Sequence, residues 1–306
     1  MKKFLLAIDG GATKTQVLAA DLQGQVLGQG EAGSTNLAVL NEHQVQLNLR
    51  QAIDQAIKPL PWQAKFKTLV MGLAGVDSPA ELTQAKNLFA QLFKNLEVET
   101  VRLENDTAIA LASGTDKADA LVLIAGTGSN CIGHNAQGQR AKTGGMDYLL
   151  TDEGSAYAVG RAGLRAAVRS FDGRGAKSLL QELVKEYFDL DTFVDLKKEV
   201  YQPPLSKTQI ASLSVLVSQA VAQGDQAAQE IIDEAVQELV LMVKVVMTKL
   251  DLATKPVDLV LVGGMLKQTY LRQQLLTKLQ LLNDHLKIIV PTKPPVYGAL
   301  KLALKS

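Results

Sequence analysis

The stretch FLLAIDGGATKTQVLAADLQGQ, residues 4–25, decides the fold because its layout recurs later in the chain. Residues 120–139, ALVLIAGTGSNCIGHNAQGQ, repeat the order of an apolar strand, a turn rich in glycine and threonine, a second strand and a hairpin. The two turns lie 116 residues apart when Ile8 is matched to Ile124. Such a repeat indicates two similar halves, each opening with a strand–turn–strand unit.

The elements that follow each unit predict an α/β fold in two domains. In the first half, a three-strand antiparallel meander precedes alternating helices and strands, an order that predicts parallel pairing of the later strands. Asn41, with Gln44 three residues later, predicts the start of the first helix. We expect domains at residues 1–115 and 116–306, with helical insertions in the second. We also expect the last helix, after Pro295, to pack back on the first domain, and the two domains to face each other across a cleft.

Composition limits the class of partner. The 306 residues include 32 Lys and Arg against 31 Asp and Glu, so no net field favours nucleic acid or an acidic membrane surface. Cys131 is the single cysteine, which excludes an intrachain disulfide framework and indicates a reducing compartment. The apolar run after the first lysines is too short for a signal peptide core, and no run is long enough to span a bilayer. We therefore expect a cytoplasmic protein without nucleic-acid or membrane partners.

The segment VLGQGEAG contains Gly28, Gly30 and Gly33 in the spacing of a dinucleotide-binding fingerprint. That fingerprint requires glycines that open a helix after the first strand of a βαβ unit. Here the glycines belong to the third strand of a meander, and Asp54 falls inside the next helix instead of ending a strand. The match is a coincidence of composition. The polar run Ser-Thr-Asn at 34–36 that follows suits sugar hydroxyls.

The repeated turns DGGATKT and AGTGSN are candidate phosphate sites. Glycines let backbone N–H groups approach an anion closely, and threonine hydroxyls add further donors. One such turn is most often only a turn, but two at equivalent positions of a repeated chain favour a shared ligand. Asp9, beside the first turn, suits Mg²⁺ or its water shell, or else it caps the turn.

Three further positions carry possible chemistry. Asp106 stands between a strand and a helix, where it is either a helix N-cap or a carboxylate that takes a hydroxyl proton. Asp152 lies in TDEGSAY before another helix, where it either complements the helix dipole or contacts a ligand. The pairs Gly144-Gly145 and Gly263-Gly264 allow close approach of backbone to a ligand.

In their order along the chain, these motifs resemble those of the BadF/BadG/BcrA/BcrD-type ATPase family, and within it the N-acetylglucosamine kinases. The resemblance covers essentially the whole chain, and the combination GTGSN with DEGSAY is its most specific part. It implies two ribonuclease H-like (actin-type ATPase) domains with a central cleft for ATP and sugar. It also implies a homodimer that uses ATP and Mg²⁺ to phosphorylate the 6-hydroxyl of an amino sugar, with N-acetylglucosamine as the first candidate.

The same resemblance implies site residues. Asp106 would be the catalytic base, and Asp9 would hold Mg²⁺, directly or through water. The residues implied for ATP are Gly10, Gly11, Thr13, Lys14, Thr127, Gly128, Gly263 and Gly264. The residues implied for the sugar are Asn36, Ser129, Asn130, Gly144, Gly145, Met146 and Asp152.

The chain departs from the family pattern beside the sugar motif. Gly144-Gly145-Met146-Asp147 stands where the family commonly has Gly-Gly-Trp-Gly, and Thr151 replaces a glycine. Glucosamine and N-acetylmuramic acid therefore stay open as alternative substrates. Two other hypotheses are an ATPase switch that activates a partner enzyme and a silent sugar sensor. The switches carry cysteines for an iron–sulfur cluster, which a chain with Cys131 alone does not match.

Overall fold

The strands and helices follow the predicted order in the computed structural model, which describes residues 2–37, 40–76 and 78–306. The strands in these ranges are β1 (Lys3–Gly10), β2 (Lys14–Ala20), β3 (Val26–Gly33), β4 (Lys65–Leu73), β5 (Val98–Asn105), β6 (Ala120–Ala125), β7 (Ser129–His134), β8 (Arg140–Gly144), β9 (Val257–Val262) and β10 (Leu286–Ile289). The α-helices are α1 (Glu42–Ile57), α2 (Pro79–Asn95), α3 (Asp106–Gly114), α4 (Ala156–Phe171), α5 (Leu180–Tyr187), α6 (Leu196–Tyr201), α7 (Lys207–Ser212), α8 (Ser214–Ala222), α9 (Gln226–Lys249), α10 (Thr269–Gln280) and α11 (Val296–Leu304).

Unit 1 comprises residues 1–116 and 291–306. Its sheet has the order β3-β2-β1-β4-β5, with β1, β2 and β3 antiparallel and β4 and β5 parallel to β1. Helix α11 packs against α3 and β1. Residues 291–306, assigned from the sequence to the second domain, thus belong with this unit.

Unit 2 comprises residues 117–290. Its sheet has the order β10-β9-β6-β7-β8, in which β6, β7 and β8 are antiparallel and β9 and β10 run parallel to β6. This is the topology of the first sheet, so the interpretation of the repeat as two similar α/β halves is confirmed. Helices α4 to α9 are inserted between β8 and β9. Within the described ranges, the longest helices are too polar or too short to cross a bilayer.

Strand β1 is covered on both faces, which explains why FLLAI is a continuous apolar run. Phe4, Leu6 and Ile8 join a core that includes residues of α1 and α2, while Leu5 and Ala7 join a second core with α11. The alternation of the side chains along the strand sends successive residues into the two cores. The register of the strand is therefore fixed, and its last residues, Asp9 and Gly10, are held at the carboxyl end of this central strand.

The glycines of the fingerprint-like segment have a packing role. A Cβ atom on Gly30 would lie 1.9 Å from the Ala52 carbonyl oxygen, and one on Gly28 would lie 2.0 Å from the Ala56 carbonyl oxygen. These carbonyls belong to α1, so the glycines allow this helix to lie directly on β3. The glycine spacing that resembles a dinucleotide-binding fingerprint therefore arises from the close packing of β3 against α1.

Substituting Gly30 tests this packing role. Gly30→Ala is expected to lower the free energy of unfolding by roughly 2–4 kcal/mol, because α1 must move away from β3 to admit the methyl group. Gly126→Ala is the matched control, since its Cβ would meet its nearest neighbour at 3.9 Å, an ordinary contact. Urea denaturation compares the two variants, and equal small losses would contradict the packing explanation.

Candidate functional site

The β1–β2 turn in unit 1 is closed by its own backbone and by the loop after β3. The Gly11 N–H donates to the Lys14 carbonyl, and the Ser34 hydroxyl donates to the Gly11 carbonyl. Gly10 has no room for a side chain, because its Cβ would lie 2.4 Å from the Thr35 hydroxyl oxygen. The tip of the turn, including Thr13, is exposed. The backbone N–H groups at the tip can therefore reach an anion.

The polar run 34–36 was expected to bind sugar hydroxyls, but two of its three side chains form hydrogen bonds within the protein. Thr35 is fully buried, and its hydroxyl accepts a hydrogen bond from the Thr15 hydroxyl at 3.0 Å. Ser34 is bonded to the turn, and its carbonyl accepts from Asn48. These two side chains therefore hold the loop in place, which leaves Asn36, nine-tenths buried beside them, as the predicted sugar ligand of the run.

Asp9 stands at the end of β1 in an environment that disfavours its charge. Burial raises the pKa of this carboxyl from its ordinary value of 3.8 to about 6, and the ammonium of Lys14 offsets this only in part. Among the residues that the structure describes, the Asp9 carboxylate has neither a hydrogen bond nor an ion pair. The alternative interpretation of Asp9 as a turn cap is therefore wrong. Lys14 itself is exposed and pairs with Glu31 at 2.7 Å.

Asp106 is the first residue of α3, and it does not cap that helix. The N-cap is Asn105, whose carboxamide oxygen accepts from the Thr107 N–H at 2.9 Å. An asparagine in this position satisfies one of the free amides of the first turn. The interpretation of Asp106 as a helix cap is therefore wrong, and the carboxylate stands at the positive end of the helix.

In unit 2, the equivalent turn is bonded to the start of α4. The Ala156 and Tyr157 N–H groups donate to the carbonyls of Gly126 and Thr127. The Ser129 N–H donates to one oxygen of Asp152 at 3.1 Å, and the Ser129 hydroxyl donates to a neighbouring backbone carbonyl. The turn and the DEGS segment therefore form one rigid unit.

The Asp152 carboxylate occupies the space where a side chain at position 128 would lie. A Cβ on Gly128 would lie 2.8 Å from an Asp152 carboxylate oxygen, so only glycine admits the carboxylate here. Asp152 is 3% exposed and has a φ of 72°, a backbone conformation that few non-glycine residues adopt. The burial, the unusual backbone conformation and the bond from the Ser129 N–H hold this carboxylate in one position just before α4.

A lysine that the sequence analysis missed completes this cluster. The Lys207 ammonium lies 2.7 Å from the second oxygen of Asp152 and 2.5 Å from Asp147. Burial would lower the pKa of Lys207, but its hydrogen bonds to Asp147 and Asp152 outweigh burial and raise it. Lys207 is 55 residues from Asp152 along the chain, so no local pattern could reveal the contact.

The end of β8 and the loop after it bring further predicted sugar residues together around Asn130. Gly144 and Gly145 have φ values of 69° and 70°, and a Cβ on Gly145 would lie 3.1 Å from the Cβ of Asn130. The Asn130 carboxamide oxygen is buried, and within the described ranges it accepts no hydrogen bond. A buried acceptor without a donor is costly, so this atom suits a ligand N–H or O–H group. Met146 is 66% exposed on the same loop.

The two glycines after β9 have different roles. Gly263 has a φ of 122°, and its Cβ would lie 2.1 Å from the Ala125 carbonyl oxygen, so it fits the turn against β6. Gly264 faces open space, with no atom within 4 Å of its Cβ position. It borders a cavity of about 750 Å³, a volume typical of small-ligand sites. Residues around the cavity that the sequence analysis missed include Ser214, Ser218, Lys267, Gln268, Thr269 and Tyr270.

The described residues contain no preformed cluster of metal ligands. Among residues 2–37, 40–76 and 78–306, no three His, Cys, Asp or Glu side chains come together as a metal site. Mg²⁺ is commonly bound through one or two carboxylates together with substrate phosphates and water. Asp9, an oxygen ligand without a partner, fits that mode.

Comparison with known proteins gives a consistent picture. The model of the BadF/BadG/BcrA/BcrD ATPase family matches residues 6–303. The chain is 32% identical over 304 residues to the N-acetylmuramic acid/N-acetylglucosamine kinase of Clostridium acetobutylicum, covering 98% of each protein. It is 29% identical over 317 residues to the N-acetyl-D-glucosamine kinase of Dictyostelium discoideum, covering 100% of this chain and 99% of that relative.

A solved structure has the same fold. The structure of a candidate N-acetylglucosamine kinase from Chromobacterium violaceum superimposes with a TM-score of 0.78 and covers 99% of both chains. The sequence identity is 21%, so this likeness speaks for the fold. The two five-stranded sheets described above therefore have the fold of that structure.

The raised pKa of Asp9 gives a test by stability. The carboxyl titrates near pH 6 when folded and near 3.8 when unfolded, so the folded state loses stability as pH rises through this range. Asp9→Asn, neutral at every pH, is expected to raise the free energy of unfolding by roughly 1–3 kcal/mol at pH 7.5. The gain should shrink below pH 6 and vanish near pH 4.

Urea denaturation across this pH range measures the effect. Asp54→Asn is the control, because Asp54 is exposed on α1. A gain for Asp9→Asn that stays constant with pH, or matches that of the control, would contradict a buried charge at Asp9.

Proposed function

The chain belongs to the BadF/BadG/BcrA/BcrD ATPase family, and we propose that it is an ATP-dependent kinase for the 6-hydroxyl of an amino sugar, first of all N-acetylglucosamine. The two relatives that match the chain almost end to end are kinases of N-acetylated amino sugars. The observation that carries the proposal is the buried Asn130 carboxamide oxygen, which accepts no hydrogen bond within the described ranges and follows directly on Ser129, whose N–H holds the Asp152 carboxylate. Together they offer acceptors to the N–H and O–H groups of such a sugar.

The sugar is bound mainly by residues whose own geometry is already fixed. Asp152 is oriented by its bond to Ser129, and the positive φ angles of Gly144 and Gly145 let the backbone of this loop lie close to Ser129 and Asn130. Asn130 accepts from the sugar, and Met146 supplies an apolar wall from its exposed position. Asn36 is retained as the sugar ligand that the family resemblance implies. Pre-orientation of this kind lowers the entropy lost on binding.

The nucleotide is bound through the two repeated turns and the cavity. In the first turn, Thr13 and Lys14 supply donors to the phosphates, and Gly10 and Gly11 allow the backbone to approach them. Thr127 and Gly128 are the proposed phosphate residues of the second turn. The cavity beside Gly264 takes the adenosine, and Gly263 fixes the turn that borders it. Asp9 holds Mg²⁺, directly or through water, and the metal ion when bound neutralises phosphate charge.

Asp106 acts as the base. As the 6-hydroxyl oxygen attacks the γ-phosphorus, its proton passes to the Asp106 carboxylate, and the bond to the leaving ADP oxygen breaks. Phosphoryl transfer leaves little covalent work for the protein, so most of the rate comes from positioning and charge neutralisation. Asn105 caps α3, and the Asp106 carboxylate stands at the positive end of this helix.

A partner-activating ATPase switch is the less favoured second function. It needs cysteines that ligate an iron–sulfur cluster, whereas Cys131 is fully buried in β7 and burial raises the pKa of its thiol. Glucosamine and N-acetylmuramic acid are the alternative substrates of the kinase. A reduced cysteine suits the cytoplasm, and we retain the homodimer implied by the family resemblance as part of the proposal.

A substrate panel tests the function. ADP release is measured with ATP and Mg²⁺ and with N-acetylglucosamine, glucosamine, N-acetylmuramic acid or glucose as the acceptor. The proposal expects an N-acetylated amino sugar to stimulate ADP release most strongly. ATP turnover that no sugar stimulates would contradict it.

The role of Asp106 has its own test. Asp106→Asn is expected to lower kcat by roughly 10²–10⁴, while sugar affinity stays within about tenfold because the amide keeps the shape of the carboxylate. Stability should change by less than about 1 kcal/mol, the scale of one dipole interaction at a helix start. Near-normal kcat in a variant with an unchanged melting curve would rule out the base mechanism.

The cavity assignment is tested by filling it. Gly264→Leu is expected to raise the KM for ATP at least about tenfold by occupying the nucleotide volume, with an unchanged KM for the sugar and an unchanged melting temperature. The fold tolerates the leucine because Gly264 faces open space. The neighbouring Gly263→Ala should instead destabilise the protein. An unchanged KM for ATP in Gly264→Leu would place the nucleotide elsewhere.

A further inference from the structure

Lys207 connects two carboxylates of very different character. Asp152 is buried, and its other oxygen is held by the Ser129 N–H. The side chain of Asp147 is 66% exposed on the loop after β8. The Lys207 side chain itself is 28% exposed, so it reaches from the buried carboxylate to the surface of the site. One contact of the lysine is therefore fixed, and the other faces solvent.

The loop is held mainly by backbone hydrogen bonds, and the Asp147 carboxylate adds one bond from the Tyr148 N–H. The Asp147 backbone carbonyl accepts hydrogen bonds from the Leu150 and Thr151 N–H groups, and the Met146 N–H donates to the Thr151 hydroxyl. These bonds close the loop through its backbone. The Asp147 side chain can thus leave Lys207 while the loop keeps its conformation.

The geometry points to Lys207 as a specificity-determining residue that binds an acidic substituent of the sugar, with Asp147 as an exchangeable internal carboxylate. This inference rests on the proposed kinase function and on the placement of the sugar at Asp152. A substrate carboxylate that displaces Asp147 leaves the ammonium with two carboxylate partners, as before. A neutral amino sugar binds with Asp147 in place.

The substrate class is an N-acetylated amino sugar that carries a carboxylate, for which N-acetylmuramic acid, with its lactate ether, is the probe. Lys207, Asp147 and Asp152 together carry one net negative charge, so an acidic sugar is repelled until Asp147 moves away. The ring of Tyr148 lies 5.7 Å from the ammonium and keeps it at the site. Asp147 thus sets the balance between neutral and acidic substrates.

Asp147→Asn isolates the charge. Asp147 has a φ of 69°, and asparagine is among the few residues that adopt this conformation readily. The asparagine oxygen can still accept the hydrogen bond that Tyr148 N–H now donates to the carboxylate. The expected result is a rise of roughly tenfold in the ratio of kcat/KM for N-acetylmuramic acid to that for N-acetylglucosamine, because one repelling and competing charge is removed.

Substitution of Lys207 should lower the ratio of kcat/KM for N-acetylmuramic acid to that for N-acetylglucosamine. Lys207→Met is expected to lower the same ratio by at least about tenfold, while Lys207→Arg, which keeps the charge, should retain most of it. Lys198→Met is the matched control, because Lys198 is exposed on α6 and outside the site. A ratio that changes less than about twofold in both Asp147→Asn and Lys207→Met overturns the inference.

Calorimetric binding of both sugars separates this inference from the kinase proposal. A shifted ratio of binding constants without phosphorylation would support the Lys207 assignment and overturn the kinase. Phosphorylation of N-acetylglucosamine with an unshifted ratio would support the kinase and overturn the Lys207 assignment. Failure of both sugars to bind would overturn both.

Discussion

The contact of the Asp152 carboxylate with Gly128 is the constraint around which unit 2 is organised. It requires a glycine in the turn, a positive φ at Asp152, and donors for both carboxylate oxygens. Those donors are the Ser129 N–H from the turn and the Lys207 ammonium from α7. A single buried charge therefore joins the β6–β7 turn, the start of α4 and a helix of the insertion. Unpairing it would leave an uncompensated charge in the interior, which is strongly unfavourable.

Asp9 and Asp152 represent two ways of keeping a carboxylate in a protein interior. Asp152 has its partners within the chain, so its position is set before any ligand arrives. Asp9 has none in the described part of the chain, and burial raises its pKa to about 6. A buried carboxylate of this kind destabilises the fold when it is charged, and a cation that binds to it removes this cost. Such carboxylates are typical of binding sites.

The repeat, the strand order and the α1 cap at Asn41 could be predicted because each depends on local sequence pattern. The choice between a cap and a base at Asp106 could not be made from the sequence, because either of two adjacent residues can cap a helix and only the structure shows that Asn105 does so. Lys207 and the cavity beside Gly264 could not be predicted, because they depend on how an inserted helical segment folds back on the sheet. Contacts between residues that are far apart in the chain leave no periodic pattern in the sequence.

We propose that the chain transfers a phosphoryl group from ATP to the 6-hydroxyl of an amino sugar. The most direct measurement is phosphorus–proton NMR of the product formed from ATP and N-acetylglucosamine. We expect the new phosphorus to couple to the two protons on carbon 6, and the amount of phosphorylated sugar to equal the amount of ADP released. Coupling to the anomeric proton, or ADP release with inorganic phosphate alone, would contradict it.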